Sequence, residues 1–178
     1  MELASHVHED ILLQYRKLKQ QAESALSQVS DSDFFSVLGD EGNSIAVLVK
    51  HLAGNMRSRW TDFLTSDGEK SFRDRPSEFQ ASSADRVTYM KSWHDSWSLL
   101  METLTSLSPD NLLATVTIRH EPHTVLEALH RQLTHYSAHI GQLVLLAKYY
   151  RGSEWRTLSI PKDTVQLSGG TYRQVDQV

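Results

Sequence analysis

The sequence predicts an all-α protein, a four-helix bundle with a short β-hairpin or extended segment before the fourth helix. Three observations predict it. Four long stretches carry apolar residues at helical spacing. One short stretch drops to a period of two. The chain has 178 residues, 39% hydrophobic and 22% charged, which suits one globular domain with a substantial core. Long amphipathic helices with little strand pack as a bundle. Residues 1–164 read as one such domain and 165–178 as a polar tail.

The first helix is expected from about Ser5 to Val29, where Ile11, Leu12, Tyr15, Leu18, Ala22, Ala25 and Leu26 recur, and Asp31-Ser32-Asp33 breaks the pattern. The second starts near Asn43-Ser44, both good N-caps. It carries Ile45, Leu48, Leu52, Trp60, Phe63 and Leu64 and stops at Ser66-Asp67-Gly68. A charged, proline-containing connection follows, from Asp67 to about Ser83. The third spans about Ala84 to Leu107, with Val87, Met90, Trp93, Trp97, Leu100, Met101 and Leu104 on its buried face. Leu113, Thr115, Thr117 and Arg119 then alternate with Ala114, Val116, Ile118 and His120 as a strand does, and Arg119-His120-Glu121-Pro122 turns a hairpin. The fourth helix spans about Thr124 to Tyr150 and stops at Arg151-Gly152. In the tail, Trp155, Leu158, Ile160 and Pro161 are expected to pack on the bundle. Beyond about Thr164 the chain turns polar, and its end is expected to be disordered. Every connection is long enough to cross the bundle, so helix direction stays open.

The formal net charge is −4 with His neutral, and no basic block of the kind that neutralises phosphates is present. Nucleic acid is therefore not an expected partner. No apolar run reaches bilayer length, so no membrane association is expected either. Met1-Glu2-Leu3-Ala4-Ser5-His6 lacks the regions of a signal peptide. The chain has no cysteine, which fits a cytoplasmic location. It also excludes zinc-thiolate sites and a cysteine nucleophile, so a transition metal must be held by His, Asp or Glu. Phosphate-binding glycine loops, a nucleophile elbow and a Rossmann fingerprint are absent.

Chemistry concentrates at His135 and His139, one helical turn apart and therefore on one helix face. Leu126, Leu129, Leu133, Ile140, Val144 and Ala147 form the apolar stripe of that helix, and the pair lies on its flank with Ala128, Leu143 and Leu146. His51 lies along the stripe of Leu48, Leu52 and Asn55 on the second helix. Three imidazoles from two facing helices could share one ion and leave a coordination position open, the layout of a reactive site. Burying them without partners would cost on the order of a few kcal/mol each. The ring nitrogen not bound to metal would still need an acceptor. Taken alone, a pair at this spacing is also what nine histidines produce by chance. The others read blandly: His6 and His8 as solvated, His94 and His130 as surface or packing residues, His120 and His123 as turn residues.

His135-Tyr136-Ser137-Ala138-His139-Ile140-Gly141-Gln142 resembles the fourth-helix motif of the DinB/YfiT-like superfamily, and Val49-Lys50-His51-Leu52-Ala53-Gly54-Asn55 its second-helix motif. The resemblance covers about Ser5 to Gly152 and includes the hairpin. It implies a metal-binding four-helix bundle, commonly a homodimer, with nickel or zinc held by His51, His135 and His139. It also implies kinship with S-transferases that use thiols such as bacillithiol or mycothiol, and with a mycothiol-dependent isomerase. The chain further resembles a DinB-related subgroup of unassigned activity, through Arg57-Ser58-Arg59-Trp60, Asp67-Gly68-Glu69-Lys70, Arg73-Asp74-Arg75-Pro76-Ser77-Glu78-Phe79 and Trp155-Arg156-Thr157-Leu158-Ser159-Ile160-Pro161.

Asn55 and Arg59 lie one and two turns beyond His51 on the same face, and with Gln142 they are the candidate pocket residues. Arg57, Arg59, Arg73 and Arg75 either steer an anionic substrate or, the favoured reading, pair with Asp67, Glu69, Asp74 and Glu78 to fasten the long loop. Gly141 costs roughly 1 kcal/mol inside a helix, which points to close approach of another helix or a partner subunit. Trp60, Trp93 and Trp97 fit packing better than a cofactor box. Three functions follow. The first is a divalent-metal-dependent transferase acting on a small molecule with a low-molecular-weight thiol as cosubstrate. The second is a metal-assisted hydrolase, and the third a non-catalytic metal-binding stress-response protein. No general base can be picked out.

Overall fold

Side-chain caps set the starts of the long helices. Ser44 accepts from Val47 N (3.2 Å) and Asp85 from Thr88 N (2.9 Å). Thr124 and Glu127 cap each other's backbone N–H at 2.7 and 3.1 Å. Each contact satisfies a donor that the helix itself leaves unpaired. The structure, a computed structural model, describes residues 2–80, 84–160, 164–166 and 172–174. Among them the chain is mostly helical: α1 (Glu2–Leu26), α2 (Asp31–Phe35), α3 (Ile45–Trp60), α4 (Arg75–Glu78), α5 (Arg86–Ser106) and α6 (Val125–Arg151). A 3₁₀ turn (Pro109–Leu113) leads into the antiparallel pair β1 (Thr115–Ile118) and β2 (Glu121–Thr124). No helix among the described residues is long and apolar enough to cross a membrane.

The four long helices close a ring, α1 packing on α5 and α6, and α3 likewise on α5 and α6. Tyr15, Trp60, Trp93, Trp97 and Tyr136 fill its centre and are fully buried. Tyr15 and Tyr136 meet edge to face at 6.1 Å, as do Tyr15 and Trp60 at 6.2 Å. The polar ends of Tyr15, Trp60 and Tyr136 are satisfied, whereas Trp93 Nε1 and Trp97 Nε1 are buried with no hydrogen-bond partner among the described residues. Tyr15 donates to the Leu129 carbonyl (2.8 Å), Trp60 Nε1 to Tyr136 Oη (3.0 Å), and Tyr136 Oη to Asn55 Oδ1 (3.1 Å). The last two contacts tie α3 to α6 through a buried polar chain.

Several expectations change. Val87 is 76% exposed, because α5 starts only one residue earlier and its first turn stands clear of the core. The second long helix stops at Trp60, so Leu64 lies in a turn and is exposed. Asp31–Phe35 does not merely break α1 but forms a short helix capped by Ser30, with Phe34 buried. His8 is buried, and its Nε2 stands 3.0 Å from the Leu104 carbonyl. Gly141 is exposed and a Cβ there would meet nothing among the described residues, so no described helix of this chain requires the glycine. Trp155 and Leu158 pack on the core while Ile160 is half exposed. Pro161 lies outside the described residues. In the polar tail, Thr164–Gln166 and Tyr172–Gln174 pair as antiparallel strands β3 and β4, which the sequence reading did not foresee; residues 167–171 and the chain end at 175–178, for which disorder was expected, lie outside the described residues.

The hairpin turns at Arg119-His120 alone, Glu121 and Pro122 already lying in β2. Both turn residues take positive φ (55° and 66°), a conformation that costs on the order of 1 kcal/mol for a residue with a side chain. Asp67 compensates. Its carboxylate accepts from Arg119 N (3.0 Å), His120 N (2.7 Å) and Glu69 N (2.7 Å), and next to it Gly68 N donates to the Thr117 carbonyl (2.8 Å). The long loop is thereby clamped to the hairpin. Burial acts against the Asp67 charge, but these backbone donors outweigh it and bring its pKa from 3.8 down to about 2. A carboxyl whose folded pKa is depressed stabilises the fold above its unfolded pKa and ceases to do so as the pH falls through the folded one. Asp67→Ala is expected to lower stability by about 1–2 kcal/mol, with amide exchange at Arg119 and His120 accelerating first. The stability gap between wild type and Asp67→Asn, measured by denaturation, should shrink as the pH falls from 3.8 to about 2.

Candidate functional site

His51, Asn55 and Arg59 follow one another at four-residue spacing along α3, and all are buried. α6 faces them. Its buried residues are Val125, Ala128, Leu129, Gln132, Tyr136, Ile140, Leu143, Leu146 and Ala147. This face is rotated by roughly 60° from the stripe read off the sequence, at 100° per residue, and the rotation is toward the histidine flank. His135 and His139 are therefore half-buried at the edge of the core.

The ring of His51 meets those of His135 (5.3 Å) and His139 (4.8 Å), and the latter two stand 4.7 Å apart. One nitrogen from each ring lies within 4.8 Å of the others, a group that could hold a metal ion. His51 Nε2 and His135 Nε2 are 3.3 Å apart. That is roughly the separation kept by two nitrogens bound at 2.0–2.1 Å to one tetrahedral ion.

Hydrogen bonds decide which nitrogens face inward. Glu78 Oε2 lies 2.9 Å from His51 Nδ1, and Gln142 Oε1 lies 3.0 Å from His139 Nδ1. A carboxylate only accepts, so His51 carries its proton on Nδ1 and presents the Nε2 lone pair to His135. Two imidazole nitrogens at 3.3 Å cannot both aim lone pairs at each other without a proton or a cation between them. His135 Nδ1 is buried with no hydrogen-bond partner among the described residues. If His135 Nε2 holds the proton, Nδ1 is an unsatisfied acceptor; if Nδ1 holds it, it is an unsatisfied donor. Burial, then His139 and His51, push the His135 pKa down to about 4, and burial lowers that of His139. Both rings are thus neutral near pH 7, the state a cation needs. The donor set fits a divalent ion.

Glu78 is itself held. Burial acts against its charge, yet the hydrogen bonds from His51 and Arg73 outweigh burial and keep its pKa below the ordinary range. Arg73 donates through Nε to Oε1 and through Nη2 to Oε2, both at 2.9 Å. Gly54 makes the space: a Cβ there would overlap Glu78 Oε1 and stand 2.9 Å from its Cδ. Phe79 covers the His51 ring at 4.7 Å. Beside the imidazoles opens a cavity of about 470 Å³, which Asn55, Arg59, Arg73 and Gln132 also line.

Over residues 3–164 the chain matches the family described as "Protein of unknown function (DUF1572)". The chain belongs to the DUF1572 family. No curated protein matches it.

In this DUF1572 chain the long-range fold brings together the three histidines, Asn55 and Arg59 that the sequence singled out. Gln142 stands apart from the cavity and reaches the site through His139. The expected pairing of the arginines with loop carboxylates holds for Arg73, with Glu78 and Glu69, and fails for the other three. Arg57 stacks on Phe72, Arg75 on Phe79, and Arg59 has no hydrogen-bond or ion-pair partner among the described residues. Sequence reasoning missed Arg131 and Gln132, although both lie one turn before His135 and helical spacing alone could have found them. It named Glu78 only as a fastener of the loop, since no spacing links a loop carboxylate to a histidine 27 residues earlier. Gly54→Ala is expected to displace Glu78, at a cost of about 1–3 kcal/mol for overpacking. The check is the slowly exchanging His51 Nδ1–H resonance in NMR spectra, present in wild type and lost in the variant.

Proposed function

We propose that the protein is a divalent-metal-dependent enzyme of the DinB/YfiT-like superfamily, a four-helix bundle of that type, which transfers a low-molecular-weight thiol such as bacillithiol to a small electrophile. The observation that carries this reading is the convergence of three imidazole nitrogens within 4.8 Å at the edge of a cavity of about 470 Å³. Pockets of that size take small molecules. The chain has no cysteine, so a sulfur nucleophile must arrive with a cosubstrate.

His51, His135 and His139 would hold nickel or zinc. Once bound, the ion would supply Lewis acidity, holding a thiol as thiolate at neutral pH. Glu78 and Gln142 keep the two Nδ1–H groups occupied and so leave the Nε2 lone pairs of His51 and His139 free. Phe79 shields one side of His51 from water. Asn55, anchored by Tyr136, and Arg59 line the approach. In the transfer the thiol gives its proton to solvent water, a sulfur–carbon bond forms, and the leaving group departs from that carbon with its electron pair.

Elemental analysis of protein purified without a histidine tag is expected to show about one divalent ion per chain, absent in His135→Ala. Glu78→Gln should weaken metal affinity about 10–100-fold. Turnover of electrophiles should require both metal and an added thiol. Protein free of stoichiometric metal, or turnover that proceeds equally in thiol-free buffer, would reject the transferase; the second outcome points to hydrolysis.

A homodimer fits the outer face of α6. Ala138, Gly141, Leu145 and Tyr149 fall on one stripe there, with Leu145 65% and Tyr149 60% exposed. A second copy seated on this stripe would account for the bare Gly141. Light scattering should give twice the chain mass for wild type and the monomer mass for Leu145→Asp.

A further inference from the structure

Five arginines, Arg59, Arg73, Arg75, Arg119 and Arg131, line the cavity beside the imidazoles. Among the described residues the carboxylates that pair with them are Glu69 and Glu78. Arg73 takes both, and Arg119 Nε donates to Glu69 Oε2 at 3.1 Å. Arg131 reaches the His123 ring, at 3.2 Å, and Arg75 lies over Phe79. The cavity wall therefore keeps an excess of positive charge in a protein whose net charge is negative.

Arg59 is the most pronounced case. It is 3% exposed, and it makes no hydrogen bond or ion pair among the described residues; Nε and Nη1 are buried without partners. Burial lowers its pKa, and the through-space effects of Tyr136 and Glu69, neither of which it contacts, offset that only in part. A buried guanidinium without a counter-charge costs the fold stability. An arginine kept only for structure would be expected to carry a carboxylate, as Arg73 does. The backbone nevertheless makes room for it: a Cβ at Gly68 would overlap Arg59 Nη1 and stand 3.0 Å from its Cδ.

We propose that the cavity takes a ligand bearing an oxyanion, a carboxylate or a phosphate, and that Arg59 receives it. The proposal rests on reading this cavity as the substrate site and deepens that reading by naming a substrate class. Arg59 lies eight residues beyond His51, roughly 12 Å of helix rise, though its side chain leans back toward His51. The ligand is thus an extended small molecule with its anionic group at one end and its reacting group at the imidazole end. Arg131 and Arg75, closer to solvent, add attraction that draws anions inward.

The test titrates succinate, inorganic phosphate and uncharged succinamide into the protein, both as purified and after chelation and dialysis, and reads calorimetric affinity and the rise in Tm. Saturable binding of succinate or phosphate, but not of succinamide, is expected in both preparations. Whichever binds tighter identifies the oxyanion. Arg59→Met should weaken it at least tenfold while leaving the ligand-free Tm unchanged or higher. Arg57→Met, which alters the arginine over Phe72 outside the cavity, should change nothing. Absence of saturable anion binding, or equal affinity in Arg59→Met, would overturn the proposal. If Arg59→Met does not fold, Gly68→Ala decides: it pushes the guanidinium aside without removing the charge, and wild-type affinity in that variant would overturn the proposal as well. Anion binding by protein that takes up no metal would sink the transferase and leave the oxyanion site standing, whereas metal uptake without anion binding would do the reverse.

Discussion

The carboxylate of Glu78 fills the space that Gly54 leaves beside α3, and from there it holds His51 Nδ1 and both the Nε and Nη2 of Arg73. The rest of the site depends on that arrangement. It sets the tautomer of His51, and so the nitrogen that faces His135. It neutralises Arg73, which in turn reaches Glu69, and Glu69 reaches Arg119 at the hairpin turn. A continuous line of charge-assisted hydrogen bonds thus runs from the imidazole group to β1 and β2. Such bonds are roughly twice as strong as neutral ones and hold geometry accordingly. α4 exists to deliver this carboxylate: Asp74 caps its start, and Lys50 reaches the Ser77 carbonyl at its end.

The same loop treats two buried arginines in opposite ways. Arg73 is wrapped in acceptors, while Arg59, fitted against Gly68, has none among the described residues. Protein interiors rarely leave a charge uncompensated unless something arrives to compensate it. Asp67 shows the contrasting structural use of charge. Its carboxylate spends its acceptors on backbone N–H groups and stabilises two turn residues whose conformation would otherwise be unfavourable.

The core and the site are joined through Asn55. Trp60 donates to Tyr136 and Tyr136 to Asn55, so the register between α3 and α6 is held by a buried polar chain directly below the imidazoles. Buried polar chains that are satisfied specify one arrangement, because any slip strands a donor in an apolar surrounding. A displacement of α6 by even a fraction of a turn would break Tyr136 from Asn55 and part His135 from His51 together.

The mostly helical fold, the hairpin before α6 and the placing of His135 and His139 on one helix face and His51 on the apolar stripe of another were legible in the sequence, because local periodicity decides which side of a helix or strand is apolar; that the three share one site was what the resemblance of their two motifs implied. Asn55 and Arg59 were legible for the same reason, as positions one and two turns from His51. Periodicity could not supply the rotation of α6 toward its histidine flank. That depends on how Trp93, Trp97 and Tyr15 fill the space opposite Tyr136, a packing problem among residues distant in the chain. Nor could it assign the acceptor for His51, or show that Arg73 is paired and Arg59 is not. An arginine at a helix end and one in the charged loop that follows look alike as a string. Only the tertiary structure, by placing Gly54 against Glu78 and Gly68 against Arg59, decided which charge is neutralised and which is left facing the cavity.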